Sequence, residues 1–396
     1  MISKKMMQLG KKRSAIRETF EYSKIREQQI GKENVFDFSI GNPSVPAPDC
    51  ITQTLIDLLK NSNPVELHGY TSAQGDLASR KAVADFIDKT QHAYLDPNYI
   101  YLTVGASAAL SATFHAISVP DDEIILFAPY FAEYSVFIDS AGAKLVSCPS
   151  HSDTLLPDFD ALEKLITAHT KAVVVNSPNN PTGVVYPSKT IQQLADILVR
   201  KEKEFDSQIF IVSDEPYREL VYDNTVVPYI PAYYTDTIVC YSFSKIWSLP
   251  GERIGYVALT PNMRSIDDIY AAICGAGRYL GYICAPSMYQ KLMPLCMGAT
   301  SDIKVYEQNR NILYDALTQY GFSCVHPDGA FYLFVKSPES DANIFCQKAK
   351  EFELLLVASD SFGYPGFVRI SYCKTTQQIL NSLPAFEKLA KSYNLK

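Results

Sequence analysis

The feature that most constrains this chain is an ordered series of four short polar motifs, the first three of which follow apolar, β-rich stretches. The motifs are Asn180-Pro181-Thr182-Gly183, Asp214-Glu215-Pro216-Tyr217, Ser242-Phe243-Ser244-Lys245 and Arg253-Ile254-Gly255. The first three follow apolar runs at 172–175, 209–212 and 237–240. Polar residues that follow the strands of an α/β sheet gather at one edge of it, where ligands bind. The series therefore predicts that residues far apart in the sequence line a single ligand site.

The remaining pattern predicts an α/β protein with a mostly parallel central sheet and flanking helices. Short β-branched runs alternate with helical stretches, at 100–103, 123–127, 144–148, 171–175, 209–212 and 237–241. After Lys291 the rhythm changes. A helix is predicted at 302–320, strands at 330–335 and 367–371, and further helices at 342–352 and 377–392. This second pattern is typical of a smaller α+β domain.

Composition is that of a globular protein with a large core. The chain has 396 residues, 47% hydrophobic and 20% charged, and this length predicts two domains. Its net charge of −7 argues against nucleic acid or an anionic membrane as the main partner. No apolar run reaches the roughly 18 residues of a membrane span. Residues 1–17 lack the apolar segment of a signal peptide, so we expect a cytoplasmic protein.

Cysteine and histidine residues give no indication of a metal site. The nine cysteines and six histidines are dispersed, and no Cys-x-x-Cys pair or accompanying histidine stands at ligand spacing. We therefore predict no metal and no nucleophilic triad, and we expect the cysteines to be reduced core residues.

The motifs occur in the order found in a known enzyme family. With four further segments, the chain resembles the fold type I pyridoxal-phosphate enzymes, and among them the class I and II aminotransferases. These segments are Ser39-Ile40-Gly41-Asn42-Pro43, His68-Gly69-Tyr70, Thr103-Val104-Gly105-Ala106-Ser107 and Phe367-Val368-Arg369-Ile370-Ser371. The resemblance implies a large cofactor domain at 46–290 and a small domain at 291–396, onto which residues 1–45 fold.

The resemblance implies pyridoxal 5′-phosphate as the cofactor and Lys245, Asp214 and Tyr217 as the catalytic residues. Lys245 would form a Schiff base with the cofactor aldehyde and later act as a base beside the substrate Cα. Asp214 would pair with the pyridine nitrogen and keep the ring electron-poor. Tyr217 and Asn180 would bond the phenolic oxygen. Taken alone, Asn180 also suits an ordinary turn and Lys245 a surface position.

Further residues would hold the cofactor's phosphate and ring. Ser242 and Arg253 match the phosphate ligands, because a dianion favours charge-assisted donors. The turn Gly105-Ala106-Ser107 opens a predicted helix, whose free N–H groups also suit a phosphate. Phe131 matches the position that stacks on the ring, although core packing is open for its neighbours Tyr130 and Tyr134. Tyr70 resembles a tyrosine that reaches the phosphate of the neighbouring subunit, which implies a homodimer with shared sites.

Substrate contacts are predicted for Arg369, Gly41 and Asn180. The resemblance makes Arg369 a bidentate clamp for the α-carboxylate, with Gly41 adding a backbone contact. Arg278 either binds a second carboxylate or is an interface or surface arginine, and the sequence leaves both open. Nearby aromatic residues, Tyr279, Tyr282 and Trp247, equally suit an aromatic substrate. Ser359-Asp360-Ser361 departs from the family's usual Pro-Gly, so closure over the substrate is expected to differ.

The resulting hypothesis is a homodimeric aminotransferase. It would exchange an α-amino group between an amino acid, either aspartate or glutamate or an aromatic one, and a 2-oxo acid by ping-pong kinetics. One alternative is a C–S β-lyase of the same fold, which needs the same Lys245 and Asp214. A second alternative is a non-catalytic cofactor-binding regulatory domain. It fits poorly, because the residues before Phe36 are too few for a helix-turn-helix module.

Overall fold

The computed structural model describes residues 2–11 and 14–395. Within these residues it has fourteen α-helices, which occupy most of the chain between the strands. They are α1 (Lys4–Lys11), α2 (Ala15–Ile30), α3 (Asp49–Asn61), α4 (Pro64–His68), α5 (Leu77–Gln91), α6 (Ala106–Ile117), α7 (Tyr134–Ser140), α8 (Phe159–Leu165), α9 (Ser188–Phe205), α10 (Ile266–Tyr279), α11 (Ser287–Cys296), α12 (Lys304–Gln319), α13 (Ala342–Lys350) and α14 (Thr376–Ser392).

Twelve β-strands lie between these helices in the described part of the chain. They are β1 (Phe36–Asp37), β2 (Ile100–Thr103), β3 (Glu123–Phe127), β4 (Lys144–Cys148), β5 (Thr170–Asn176), β6 (Phe210–Asp214), β7 (Thr237–Ser242), β8 (Gly255–Leu259), β9 (Tyr332–Lys336), β10 (Leu354–Leu355), β11 (Val357–Ala358) and β12 (Phe367–Ser371). The six strands predicted for the large sheet are all present within two residues of their expected ends.

The large sheet has seven strands in the order β2-β8-β7-β6-β5-β3-β4. Strands β4, β3, β5, β6 and β7 run parallel, whereas β8 is antiparallel to both β7 and β2. The predicted mostly parallel α/β sheet is confirmed. Strand β8 is an addition to the predicted strands; its first residue, Gly255, is the last residue of the motif Arg253-Ile254-Gly255, which the sequence analysis treats as part of the ligand site.

Both faces of this sheet are covered, so its strands are apolar on both sides. Along β5, Val174 packs on the face covered by α6 and α10, while Val173 and Val175 pack on the face covered by α9. This alternation follows from the two-residue period of a strand. The sheet is thereby fixed between two apolar layers, and its carboxyl edge becomes a rigid support for side chains.

The smaller unit contains a three-stranded antiparallel sheet in the order β11-β12-β9. Its helices are α12, α13 and α14, and the predicted smaller α+β domain is confirmed. Strand β1 pairs in parallel with β10, with Phe36 opposite Leu354, so the segment before residue 45 contacts this unit through backbone hydrogen bonds. The boundaries at 45 and 290 themselves stay a prediction.

Among residues 2–11 and 14–395, no helix has both the length and the apolar character needed to cross a membrane.

Candidate functional site

Three neighbouring strands of the large sheet end at one cavity of about 260 Å³. Asn176, Asp214 and Ser242 are the last residues of β5, β6 and β7, and all three line it. The cavity brings together most of the predicted site residues, which are Gly41, Ala106, Ser107, Phe131, Asn180, Asp214, Tyr217, Ser242, Lys245, Arg253 and Arg369. Residues from all of the predicted motifs except that of Tyr70 therefore meet at the carboxyl edge of the sheet.

Asp214 is a buried carboxylate with one unpaired oxygen. Its side chain is 5% exposed, Oδ2 accepts a 2.5 Å hydrogen bond from the Tyr134 hydroxyl, and Oδ1 has no partner. Burial raises the pKa of Asp214 to about 7, against the opposing effect of the Tyr134 hydrogen bond. An unpaired buried oxygen at a cavity wall is well suited to a cationic or N–H donor group of a ligand.

Tyr134 was not predicted to hold Asp214, since its place three residues after Phe131 suggested only stacking or core packing. It lies in the first turn of α7, with its ring edge-on to Phe131 at 5.6 Å between centroids. A tyrosine in a largely apolar segment gives no signal for such a contact. Only the tertiary packing of α7, which lies against α6 and β4, places the Tyr134 hydroxyl beside the carboxylate at the end of β6.

Lys245 follows β7 and points its amine at the loop after β1. Nζ donates a 2.7 Å hydrogen bond to the carbonyl oxygen of Gly41. Burial is the main cause that lowers the pKa of Lys245 to about 8, and the charges of Arg253 and Arg369 add to the effect. A larger share of this amine is therefore neutral near physiological pH than of an exposed lysine, and the neutral amine is the nucleophile.

The start of α6 and Arg253 form a cationic cradle on one side of the cavity. Gly105 caps α6 with φ of 86°, and a Cβ at this position would lie 2.7 Å from Arg253 Nη2. The backbone conformation therefore favours glycine, and a larger residue would also displace the guanidinium from its present place. The Ser242 hydroxyl donates to Ser244 Oγ at 2.8 Å, and Arg253 Nη1 donates to the same oxygen at 3.4 Å. Helix N–H groups, hydroxyls and a guanidinium suit a phosphate.

Arg369 lies on β12 and is 2% exposed. Nη1 donates to Asn180 Oδ1 at 3.1 Å, Nη2 donates to the Ser39 carbonyl oxygen at 2.5 Å, and Nε has no partner. Both acceptors are neutral, so the positive charge is not compensated by these bonds. A carboxylate entering the cavity would meet a guanidinium that is already held in place.

Tyr217 and Tyr332 form a hydroxyl pair that the sequence did not reveal. Their oxygen atoms are 2.8 Å apart, and Tyr332 also stacks beneath Arg369, whose guanidinium carbon is 4.8 Å from the ring centroid. Tyr332 lies on β9 of the smaller sheet, so the smaller unit contributes this side chain to the cavity wall. Its motif, Phe331-Tyr332, resembles any apolar strand, and nothing in the sequence distinguished it.

Three predicted site residues do not line the cavity of this chain. Gly105 lies next to it, against Arg253, whereas Tyr70 and Arg278 lie away from it. Tyr70 is 98% exposed in the loop after α4. Arg278 lies on the exposed last turn of α10, and the adjacent Tyr279 packs near His115, at the opposite end of α6 from the cavity. Neither Tyr70 nor Arg278 reaches the site within one chain, so the roles predicted for both stay predictions.

The cavity also fits the cofactor that the motifs imply. Its unpaired Asp214 oxygen, its amine and its cationic cradle correspond to the ring nitrogen, aldehyde and phosphate of pyridoxal phosphate. Aromatic residues stand beside this set, with Phe131 at the wall and the Tyr217 hydroxyl directed at Tyr332. This donor set is mixed in charge, which suits a zwitterionic aromatic ligand better than a simple anion.

Residues 33–384 match the family of class I and II aminotransferases, and the chain belongs to this family. A crystal structure of an amino transferase from Eubacterium rectale has a TM-score of 0.97 and 53% identity, covering 100% of this chain and 99% of that one. An aspartate aminotransferase of Thermotoga maritima is 28% identical over 91% of this chain and 92% of its own length. An aromatic-amino-acid aminotransferase of Thermococcus litoralis is 28% identical over 95% of this chain and 96% of its own length.

These relationships confirm the predicted family and the predicted aminotransferase activity. They do not favour a β-lyase or a regulatory domain, the two alternatives that the motifs had left open.

The lowered pKa of Lys245 predicts a specific pH dependence. In the cofactor-free protein we expect the rate at which a small amine-reactive reagent acylates Lys245 to rise with pH, with a midpoint near pH 8. In the urea-unfolded chain the midpoint should be near that of free lysine, about 10.4. Mass spectrometry of the labelled peptide measures both.

The same shift affects stability with a definite sign. Between about pH 8 and 10.5 the unfolded chain keeps the Lys245 proton and the folded chain does not, so this group makes unfolding less favourable as pH rises. Equal midpoints in the folded and unfolded proteins would contradict the assignment of a desolvated amine.

Proposed function

We propose that this aminotransferase uses pyridoxal 5′-phosphate to move an α-amino group between an amino acid and a 2-oxo acid. Aspartate, glutamate and the aromatic amino acids are the candidate donors. The observation that carries the proposal is one cavity in which a Lys245 amine of lowered pKa stands with two unpaired atoms, Asp214 Oδ1 and Arg369 Nε. These groups complement the aldehyde, the ring nitrogen and a substrate carboxylate.

When bound, pyridoxal phosphate supplies an aldehyde that reacts with amines and a ring that withdraws electrons from the substrate Cα. Ser242, Arg253 and the first turn of α6 would hold its phosphate. Asn180 and Tyr217 would bond its phenolic oxygen, and Phe131 would cover the ring face. Asp214 Oδ1 would bond the ring nitrogen, and a positive charge there would favour the ionised carboxylate.

Lys245 is the residue placed to move a proton. Its Nζ donates to the Gly41 carbonyl oxygen, and Gly41, Lys245 and Arg369 all line the cavity. An amine of pKa about 8 exchanges protons readily near neutral pH, so it can take the Cα proton and return it to another atom. Tyr134 holds the Asp214 carboxylate in place through its hydroxyl, so Oδ1 would be ready to bond the ring nitrogen of the cofactor.

Arg369 would bind the α-carboxylate that every amino-acid and 2-oxo-acid substrate shares. Its two bonded nitrogens orient the guanidinium, and Nε remains for the ligand. Other walls of the cavity are apolar or aromatic, namely Ile16, Ile40 and Tyr332. Within one chain these walls suit an apolar or aromatic side chain, whereas a second carboxylate requires an additional cation such as Arg278.

A homodimer would supply residues that one chain lacks. Val65, Tyr70, Tyr279 and Ile283 are large apolar side chains that are 80%, 98%, 83% and 47% exposed. They belong to adjoining segments, since the Cys284 thiol donates to the carbonyl oxygen of Thr71. An exposed apolar patch of this kind is typical of a protein interface. A second copy covering it would let Tyr70 reach the neighbouring site.

The central test is a half-reaction. Cofactor-loaded enzyme mixed with an amino acid alone is expected to release one equivalent of 2-oxo acid per site and then stop, because the amino group stays on the enzyme until a second oxo acid removes it. Lys245→Ala should abolish this release, while the exposed Lys336→Ala should not change it. Stopped-flow absorbance with product quantification measures the yield. Continuous release of thiol, pyruvate and ammonia from an amino acid with a β-sulfur substituent would establish the lyase instead.

Sharing of Tyr70 across subunits can be tested with mixed dimers. Tyr70→Phe is expected to weaken cofactor retention without changing assembly, since only one hydroxyl is lost. Mixing Tyr70→Phe with Lys245→Ala chains should then produce hybrids with one intact site and a gain in activity. Native mass spectrometry verifies subunit exchange. Exchange without a gain over the Tyr70→Phe homodimer would show that Tyr70 does not act across the interface.

Arg278 is tested by substrate discrimination. An arginine that binds a desolvated carboxylate contributes about 2–5 kcal/mol as judged by truncation. Arg278→Leu should therefore lower kcat/KM for aspartate or glutamate by orders of magnitude and spare phenylalanine and tyrosine. The surface arginine of the Arg200–Glu163 ion pair supplies the matched control, Arg200→Leu. Equal effects on both substrate classes, or none, would make Arg278 structural.

A further inference from the structure

Asp37, at the end of β1, is a carboxylate that the catalytic proposal leaves without a role. It is 9% exposed and accepts three hydrogen bonds. Oδ1 accepts from the Ser39 backbone N–H at 2.9 Å and from the Ser39 hydroxyl at 2.5 Å, and Oδ2 accepts from the Ser23 hydroxyl of α2 at 3.1 Å. All three donors are neutral. A buried carboxylate is costly unless it is hydrogen-bonded, so its bonds define a specific local backbone conformation.

The segment that Asp37 holds directs two carbonyl oxygens at two cations of the cavity. The Ser39 carbonyl accepts from Arg369 Nη2 at 2.5 Å, and the Gly41 carbonyl accepts from Lys245 Nζ at 2.7 Å. Since Asp37 binds both the N–H and the hydroxyl of Ser39, it limits rotation of that residue. The direction of the Ser39 carbonyl, and with it one contact of Arg369, therefore depends on Asp37.

A second connection joins the same segment to the strand that carries Arg369. The Ser371 N–H donates to the Phe38 carbonyl at 3.0 Å, and Phe38 donates its own N–H to Leu355 at the same distance. The residue before Ser39 is thus fixed to β12 two positions beyond Arg369. Asp37 completes this arrangement by fixing the following residue, so the guanidinium and its acceptor share one rigid frame.

We propose that Asp37 is a positioning residue for the α-carboxylate clamp. Through Ser39 it orients the Arg369 guanidinium, so that Nε faces an incoming carboxylate, while Asp37 itself touches neither substrate nor cofactor. The Ser23 hydroxyl donates to the same carboxylate, so α2 is also linked to Asp37. This inference rests on the proposed role of Arg369 in binding the substrate carboxylate.

The experiment measures carboxylate binding to the cofactor-loaded enzyme without turnover. Succinate and hydrocinnamate are the probes, because they have a carboxylate but no amino group to react. Asp37→Ala should raise the Kd of both at least about tenfold, which corresponds to about 1.4 kcal/mol. For a reacting amino acid, kcat/KM should fall by about 100-fold, mainly through KM. Titration calorimetry gives the Kd, and the exposed Asp57→Ala is the control.

A double-mutant cycle separates positioning from a general structural effect. If Asp37 acts through Arg369, then Asp37→Ala should change Kd by less than about threefold in an Arg369→Lys background. A full additional loss in that background, or an unchanged Kd in the folded single variant, would overturn the inference. If Asp37→Ala fails to fold, Asp37→Asn decides, since it keeps the side-chain volume. A smaller rise in Kd is then expected, and no rise overturns the inference.

Failure of the inference and failure of the proposed function give different results. If Arg369→Lys leaves the Kd of both probes unchanged, Arg369 does not bind the carboxylate, and both proposals fall. If Arg369→Lys weakens binding while Asp37→Ala does not, only the positioning role of Asp37 is overturned.

Discussion

Removing charged side chains from water is the physical constraint on which this structure depends. Asp214, Lys245 and Arg369 meet in one cavity, where burial raises the pKa of the carboxyl and lowers the pKa of the amine. Each charge would be stabilised better by bulk water than by its present neighbours. The cost is tolerable because the surrounding fold is large and well packed, and because a ligand with complementary groups would offset it.

The large sheet makes this arrangement possible. In adjacent strands Asn176 stands opposite Asp214, and Asp214 stands opposite Cys240, so these strands end at nearly the same height. Apolar layers cover both faces and leave only the strand ends free to present polar groups. Side chains on these ends have little freedom, which favours a site that is already ordered before a ligand enters.

The smaller unit supplies the other half of the site. Arg369 and Tyr332 lie on β12 and β9, and the residues after β1 provide carbonyl oxygens for Arg369 and Lys245. Contacts such as the pair of Tyr217 and Tyr332 hydroxyls join the two units directly at the cavity. A motion of one unit relative to the other would therefore change the environment of both the cofactor residues and the carboxylate clamp.

The amino-acid sequence by itself determined where most strands of the large sheet lie along the chain and which residue types follow them. Lys245, Asp214 and Asn180 stand out because polar residues follow apolar runs that mark strands. Arg369, and the roles predicted for all four residues, came from the resemblance to the family. The hydrogen bonds of Tyr134 and Tyr332, the antiparallel β8 and the role proposed for Asp37 leave no such mark. Each depends on a contact between residues far apart in the chain, as between Tyr134 and Asp214. Only tertiary packing decides these contacts, because local sequence patterns report burial and backbone preference but not which distant side chain becomes a neighbour.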